Sequence, residues 1–136
     1  LYRGGQFKEA AVDVLGLGTD LVECVRIRAM IERHGEAFLS RAFTKHEICV
    51  CRSSARSTEA FAGRWAAKEA VLKCLKMIER APHRTDVEIR SLGGAPEVNL
   101  LGPTKQRAAD LGVTKVILSV ATTRNYATAT ALALRG

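Results

Sequence analysis

Residues 59–77, EAFAGRWAAKEAVLKCLKM, constrain the fold of this chain more than any other stretch. Phe61, Trp65 and Leu72 recur at helical spacing, with Ala62, Ala66 and Ala70 beside them, so the segment predicts a long helix with one apolar face. The small alanines let another element approach closely. Yet the same helix carries Arg64, Lys68, Glu69 and Lys73, charges of both signs in a segment otherwise suited to a core. Those charges raise the possibility that the carboxylate holds a metal ion and the cations hold phosphate.

What flanks the helix is β-rich. Val12 to Cys24 is apolar and β-branched, broken by Gly16 and Gly18, and reads as a strand with close backbone approaches. Short helices are predicted at Arg26–Arg33, ending near Gly35, and at Glu36–Phe43. Thr44-Lys-His-Glu47 fits a capping box, which starts a third helix at Thr44. The polar run at 52–58 is a loop, with Ser57 or Thr58 as cap for the long helix. After a break at 80–84, residues 85–91 and 96–100 flank Gly93-Gly94 as a hairpin. Pro103–Leu111 is a helix with Pro103 in its first turn and Gly112 as its stop. TKVILSVAT and YATATALAL are two closing strands joined around Thr123-Arg124-Asn125. The predicted fold is α+β, a mainly antiparallel sheet packed against the long helix.

A chain of 136 residues suits one domain, assigned to 11–136; residues 1–10 read as a leader, either disordered or an artefact of expression. No apolar run approaches a membrane span and no secretory signal is visible, so no membrane role is expected. Cys24, Cys49, Cys51 and Cys74 suggest no disulfide framework and read as reduced thiols. His46, Cys49 and Cys51 lack a second pair at zinc-finger spacing and read as ordinary helix residues. The net charge is +7, from 21 Lys+Arg against 14 Asp+Glu, which favours an anionic partner or ligand.

Asp20 and Glu69 come from distant parts of the chain, and two such carboxylates can share a magnesium ion whose shell is completed by water and phosphate oxygens. Lys73 lies one turn beyond Glu69 and can neutralise a phosphate oxygen, while Arg64 can grip a phosphate bidentately. The residues alone leave other uses open. Glu69 and Lys73 are spaced for a surface i,i+4 ion pair, the commoner use of that spacing, and Asp20 can be a turn or capping aspartate. GLG at 16–18 is too short for a dinucleotide fingerprint.

Five segments in order carry a family resemblance. GLGTDLVECVRI, RAFTKHEI, FAGRWAAKEAVLKCL, DVEIRSLGGAPEVNL and ILSVATTRNYATATALA resemble the successive signatures of the holo-[acyl-carrier-protein] synthase family, the small 4'-phosphopantetheinyl transferases. The resemblance runs from about Val14 to Leu134. It implies transfer of phosphopantetheine from coenzyme A to a serine of apo acyl carrier protein, with release of adenosine 3',5'-bisphosphate. It implies Asp20 and Glu69 as magnesium ligands, Lys73 on the pyrophosphate and Arg64 at the 3'-phosphate region. On physical grounds Glu69 and Lys73 are then the catalytic pair, Glu69 taking the serine proton directly or through a metal-bound water and Lys73 stabilising the leaving charge. Gly94 and Pro96 match the hairpin lining the adenine pocket, and Ser119, Thr122 and Thr123 the segment closing over the nucleotide phosphates. The family generally forms homotrimers with coenzyme A between subunits, and its setting is cytoplasmic fatty acid biosynthesis.

Two departures stand out. The family's closing segment usually carries a histidine where this chain has Thr122, which donates a hydrogen bond but supplies no charge. Its glycine-rich loop after the long helix is replaced by KMIERAPHR, whose Arg80, His83 or Arg84 are candidates for replacement charge. Acyl carrier proteins are acidic, and Arg26, Arg33, Arg41 and Lys45 on the predicted short helices form a candidate docking face. Two competing readings are a carrier-docking domain without catalysis and a basic nucleic-acid-binding module. The second expects exposed aromatics among the cations, but aromatics are only 5% here and sit at core spacing, so no nucleic-acid partner is expected.

Overall fold

The glycines of the first strand and the alanines of the long helix meet in space, and that contact organises the rest. The computed structural model describes residues 11–77, 84–91 and 94–136. The expected leader at 1–10, Arg80, His83 and Gly93 lie outside them. In chain order, strand β1 (Asp13–Glu23) runs without a break into α1 (Cys24–His34), followed by α2 (Glu36–Ala42), α3 (Lys45–Arg52) and α4 (Ser57–Cys74). A 3-10 turn at Arg84–Asp86 leads to β2 (Val87–Arg90) and β3 (Glu97–Leu100), then α5 (Gly102–Leu111), β4 (Lys115–Thr122) and β5 (Tyr126–Arg135).

The fold is α+β, as the sequence predicts. β1, β5 and β4 form one antiparallel sheet with β5 in the middle, and β2 pairs with β3 in a separate antiparallel hairpin. Alternation in YATATALALR puts Ala127, Ala129, Ala131 and Ala133 on the face under α4, all buried. On α4, Ala62, Ala66, Ala67 and Ala70 answer them, so helix and sheet are separated by little more than methyl groups. At β1 even methyls do not fit. A methyl on Gly18 would lie 1.9 Å from the Ala70 carbonyl oxygen, and one on Gly16 2.0 Å from that of Cys74.

The opposite side of α4 packs under α1–α3 through rings: Phe43 stands 5.1 Å from Phe61, and Phe38 lies 6.0 Å from Phe43 and 5.7 Å from Trp65. Such pairs contribute about 0.5–1.5 kcal/mol each beyond the area they bury. The capping box forms as predicted, with Thr44 and Glu47 each bonding the other's backbone N–H. Gly112 ends α5 in the left-handed region at φ 78°.

Several boundaries differ from the sequence reading. α1 begins at Cys24, whose N–H is held by the Asn125 carbonyl at 2.8 Å. Neither Ser57 nor Thr58 caps α4; Arg56 holds that place, with no side-chain bond to the helix. α4 stops at Cys74 instead of 77 because Lys76 adopts φ 57°, letting the Met77 N–H bond back to the Leu72 carbonyl at 2.9 Å. Glycine ordinarily takes that turn; a lysine there costs about 1 kcal/mol. Thr85 and Asp86, expected in the strand, belong to the 3-10 turn. No described helix is long and apolar enough to cross a membrane.

Candidate active site

Spacing of four places Trp65, Glu69 and Lys73 along one ridge of α4. β1 runs beside that ridge, and Asp20 faces α4 because it follows Gly18 by two in a strand. Lys73 Nζ donates to Asp20 Oδ1 at 3.1 Å and to the Thr19 carbonyl at 2.9 Å. Glu69 takes another partner: Arg84 Nε donates to its Oε1 at 2.7 Å, while the Arg84 guanidinium lies 4.3 Å from the centroid of the Trp65 ring. Among the described ion pairs, then, Glu69 and Lys73 do not form the i,i+4 bridge their spacing suggests; each reaches across to a distant segment. Nor is Asp20 a cap or turn residue, since it lies within β1.

Burial raises the Asp20 carboxyl above its ordinary range; Lys73 opposes this by hydrogen bond and charge, Glu69 adds to it, and Arg26 opposes it. A charge in that corner is therefore incompletely compensated, and a further cation would relieve it.

Lys68, one of the helix cations considered for phosphate, does not reach the site. It is fully buried, pairs with the equally buried Glu47, and donates to the carbonyls of Val87 at 2.6 Å and Arg84 at 2.9 Å. Glu47 in turn accepts the backbone N–H groups of Thr44 at 2.8 Å and Ile89 at 3.0 Å. Burial pulls the Lys68 ammonium below its ordinary range and Glu47 pulls it back. Removing one partner of such a pair costs about 3–5 kcal/mol, because the other is left buried and unpaired. The pair ties α3, α4 and β2 together and fixes the backbone at Arg84.

Four of the expected nucleotide-binding residues come together elsewhere. Arg64, Gly94, Pro96 and Thr122 line one cleft of about 330 Å³, with Gly63 on its floor. Arg64 Nε is buried and has no hydrogen-bond partner among the described residues, while the same side chain also bonds toward the buried Cys51 thiol. Ser119 and Thr123 do not line this cleft. Ser119 is three residues from Thr122 in β4 and so lies on the opposite face of the sheet. The Thr123 hydroxyl closes the β4–β5 turn, accepting the Tyr126 N–H at 3.0 Å. A larger cleft of about 910 Å³ between α5 and β4 shares Gly94 and Pro96 but holds none of the Asp20–Glu69–Lys73 cluster. Arg64 and Glu69 are five residues apart, hence about 140° apart around α4, so the cleft and the carboxylate cluster open on different sides of the helix.

The four basic residues expected to meet a partner are all exposed on α1–α3. Arg26 and Arg33, seven apart, share the face of α1 turned away from buried Cys24. Arg41 and Lys45 continue the surface on α2 and α3.

Asp20 and Glu69 supply two carboxylates, and among the described residues no cluster of three or more His, Cys, Asp or Glu side chains stands ready for a metal. That donor set fits magnesium, which commonly takes one or two protein carboxylates and fills its shell with water and phosphate oxygens. Lys73, Arg84 and the unpartnered Arg64 donor suit the phosphates.

Together these features describe an α+β domain suited to a phosphorylated ligand. A family model described as the 4'-phosphopantetheinyl transferase superfamily matches residues 16–131. The holo-[acyl-carrier-protein] synthase of Chlamydia pneumoniae is 40% identical over 124 residues, 90% of this chain and 99% of its own. That of Desulforudis audaxviator is 42% identical over 122 residues, 89% of this chain and 93% of its own. Among solved structures, the holo-ACP-synthase of Plasmodium yoelii superposes with a TM-score of 0.77 at 26% identity, covering 93% of this chain and 98% of that one. An ACPS–CoA complex from Chronobacterium ammoniagenes gives 0.72 at 27% identity, covering 92% and 97%. The chain belongs to the holo-[acyl-carrier-protein] synthase family of 4'-phosphopantetheinyl transferases, a family of enzymes.

Proposed function

We propose that this protein transfers 4'-phosphopantetheine from coenzyme A to a serine of an apo acyl carrier protein, with magnesium, releasing adenosine 3',5'-bisphosphate. The observation that carries the reading is the meeting of Asp20 with Lys73, 53 positions apart, beside Glu69. These are the three residues that the family resemblance assigns to metal and pyrophosphate. Asp20 and Glu69 would hold the magnesium ion, which would supply positive charge to the pyrophosphate. Glu69 takes the proton of the serine hydroxyl as its oxygen bonds to the phosphorus bearing pantetheine. The bond from that phosphorus to the bridging oxygen breaks, and Lys73 stabilises charge on the departing phosphate. Arg64, whose Nε has no partner among the described residues, holds the 3'-phosphate.

The cleft and the carboxylates open on different sides of α4, which supports a site completed by a neighbouring subunit. The sheet offers the surface for it. The face turned away from α4 carries Leu17 and Leu21, 61% and 68% exposed, with Ile117 of β4 in the row of Leu17. A homotrimer built on this face joins the metal cluster of one subunit to the nucleotide cleft of the next. Sedimentation as a 14.8 kDa monomer at assay concentration overturns that assembly.

The test of the reaction is intact-protein mass spectrometry of an apo acyl carrier protein incubated with this protein, coenzyme A and magnesium. A phosphopantetheine mass gain that disappears with chelator is expected; no gain with several carriers overturns the reaction. The same assay reads docking. Arg26→Glu raises KM for the acidic carrier at least tenfold, about the cost of reversing one interfacial charge, and raises KM for coenzyme A by less, since the Arg26 charge also acts on Asp20. Equal effects on both remove Arg26 from the docking face.

A further inference from the structure

Arg84 has no part in the scheme above, yet it holds the side chain on which that scheme turns. Its Nε bonds Glu69 Oε1 at 2.7 Å, and its guanidinium lies over Trp65 at 4.3 Å. Its backbone is fixed from below, because the buried Lys68 ammonium donates to the Arg84 carbonyl at 2.9 Å. The root of the side chain is thus held while the head sits on an aromatic face, about one-quarter exposed at 27%. A planar guanidinium can slide across such a ring without losing its attraction to it.

The corner holds two ion pairs, with the Arg26 charge acting on Asp20 besides. Asp20 is matched by Lys73 and Glu69 by Arg84. A divalent cation arriving by itself has to compete with both cations for the carboxylates. A divalent cation arriving with a pyrophosphate diester brings two charges of each sign and gives every group a partner. The carboxylates would then turn to the metal and the two side-chain cations to phosphate oxygens, where guanidinium geometry is well matched.

We propose that Arg84 is a partner-exchanging cation. It competes with the metal for Glu69, and it moves its guanidinium to the pyrophosphate of coenzyme A when metal and coenzyme bind together. The inference rests on the proposed function and assigns Arg84 as a substrate-binding residue of the same site. It also makes Arg84 a source of linkage between the ligands: coenzyme A strengthens metal binding partly by drawing Arg84 away, and the metal strengthens coenzyme binding by the same factor.

The test uses the full chain with manganese as a paramagnetic probe, titrated with and without coenzyme A, on the wild type, Arg84→Gln and Arg84→Lys. In Arg84→Gln, manganese without coenzyme A is expected to bind about tenfold tighter, because Glu69 loses one charge-assisted competitor. KM for coenzyme A in magnesium is expected to rise about tenfold for the lost phosphate contact. The factor by which coenzyme A strengthens manganese binding therefore shrinks. Arg84→Lys keeps the charge but loses the planar fork and its stacking on Trp65, so it falls between the wild type and Arg84→Gln on both readouts, and thermal melting verifies that both variants fold.

A purely architectural Arg84 predicts otherwise: its loss weakens manganese and coenzyme A together, or changes neither. Either result overturns the proposal, as does tighter manganese with an unchanged KM for coenzyme A. The two readings separate cleanly. If the wild type binds no manganese and loads no carrier, the proposed function falls and takes this inference with it. If the wild type does both and Arg84→Gln matches it, the exchange alone is wrong.

Discussion

Glu69→Gln lowers phosphopantetheine transfer in magnesium by about 10³-fold, within the range attributed to a positioned general base, while coenzyme A binding changes by less than tenfold. Glutamine keeps the size of the side chain and a carbonyl oxygen for Arg84, so a fall of this size is not explained by lost packing. What it lacks is the charge, which the proposed roles require both to hold a divalent cation and to take a proton from serine. The alternative role for Glu69 is a partly exposed ion pair with Arg84, at 2.7 Å with side chains 21% and 27% exposed. Exposed pairs contribute about 0.2–1 kcal/mol, which bounds the effect of losing this one at a few-fold. The two roles therefore predict rates that differ by more than two decades. Initial rates of carrier loading at saturating coenzyme A decide between them, and full turnover in Glu69→Gln removes both the metal and the base role.

Much of the fold was legible because periodicity and end signals are local. The capping box at Thr44 and Glu47, the Gly112 stop and the alternation of YATATALALR each act within a few residues, and each formed where predicted. The site was legible only through resemblance. Spacing joined Glu69 to Lys73, whereas the chain joins Lys73 to a residue 53 positions away and Glu69 to one 15 positions away. Lys68 was misread because a run of charge on a helix ordinarily faces water. A signal against that was present: Lys68 stands seven residues after Phe61 and four before Leu72, on the stripe those two bury. Its partner Glu47 was recognised as a capping residue, but a capping box does not reveal that its carboxylate also closes a buried ion pair from the other side. Arg84 was only one of three candidate charges in an irregular segment, and no local rule places a side chain whose backbone is held by a lysine on another element. The separation of Ser119 from Thr122 follows from strand alternation, a geometric fact that matching a motif as a linear string leaves out.

Gly18→Ala is expected to destabilise the protein by about 3 kcal/mol, the upper part of the usual range for overpacking, and to reduce transfer even where the variant remains folded. The added methyl would sit 1.9 Å from the Ala70 carbonyl oxygen and 2.7 Å from the Cys74 nitrogen. Both atoms are backbone, so no side-chain rotation makes room. They are also the donor and acceptor positions of an i→i+4 pair in the final turn of α4, which the methyl would wedge apart. Relief requires lifting the helix from the strand along the seam that positions the site. Asp20 follows Gly18 by two on the strand, and Glu69 and Lys73 flank Ala70 on the helix. A displacement of about 1 Å there lengthens the 3.1 Å Asp20–Lys73 contact and spreads the two carboxylates, and misplacement on that scale can cost about 10² in rate. The prediction is checked by thermal melting, with transfer rates measured well below the melting temperature of the variant. Lower stability with undiminished transfer would mean that the strain is absorbed away from Asp20. Unchanged stability would mean that the helix and strand are not pressed together at Gly18, and the geometric basis for placing Asp20 beside Glu69 and Lys73 would go with it.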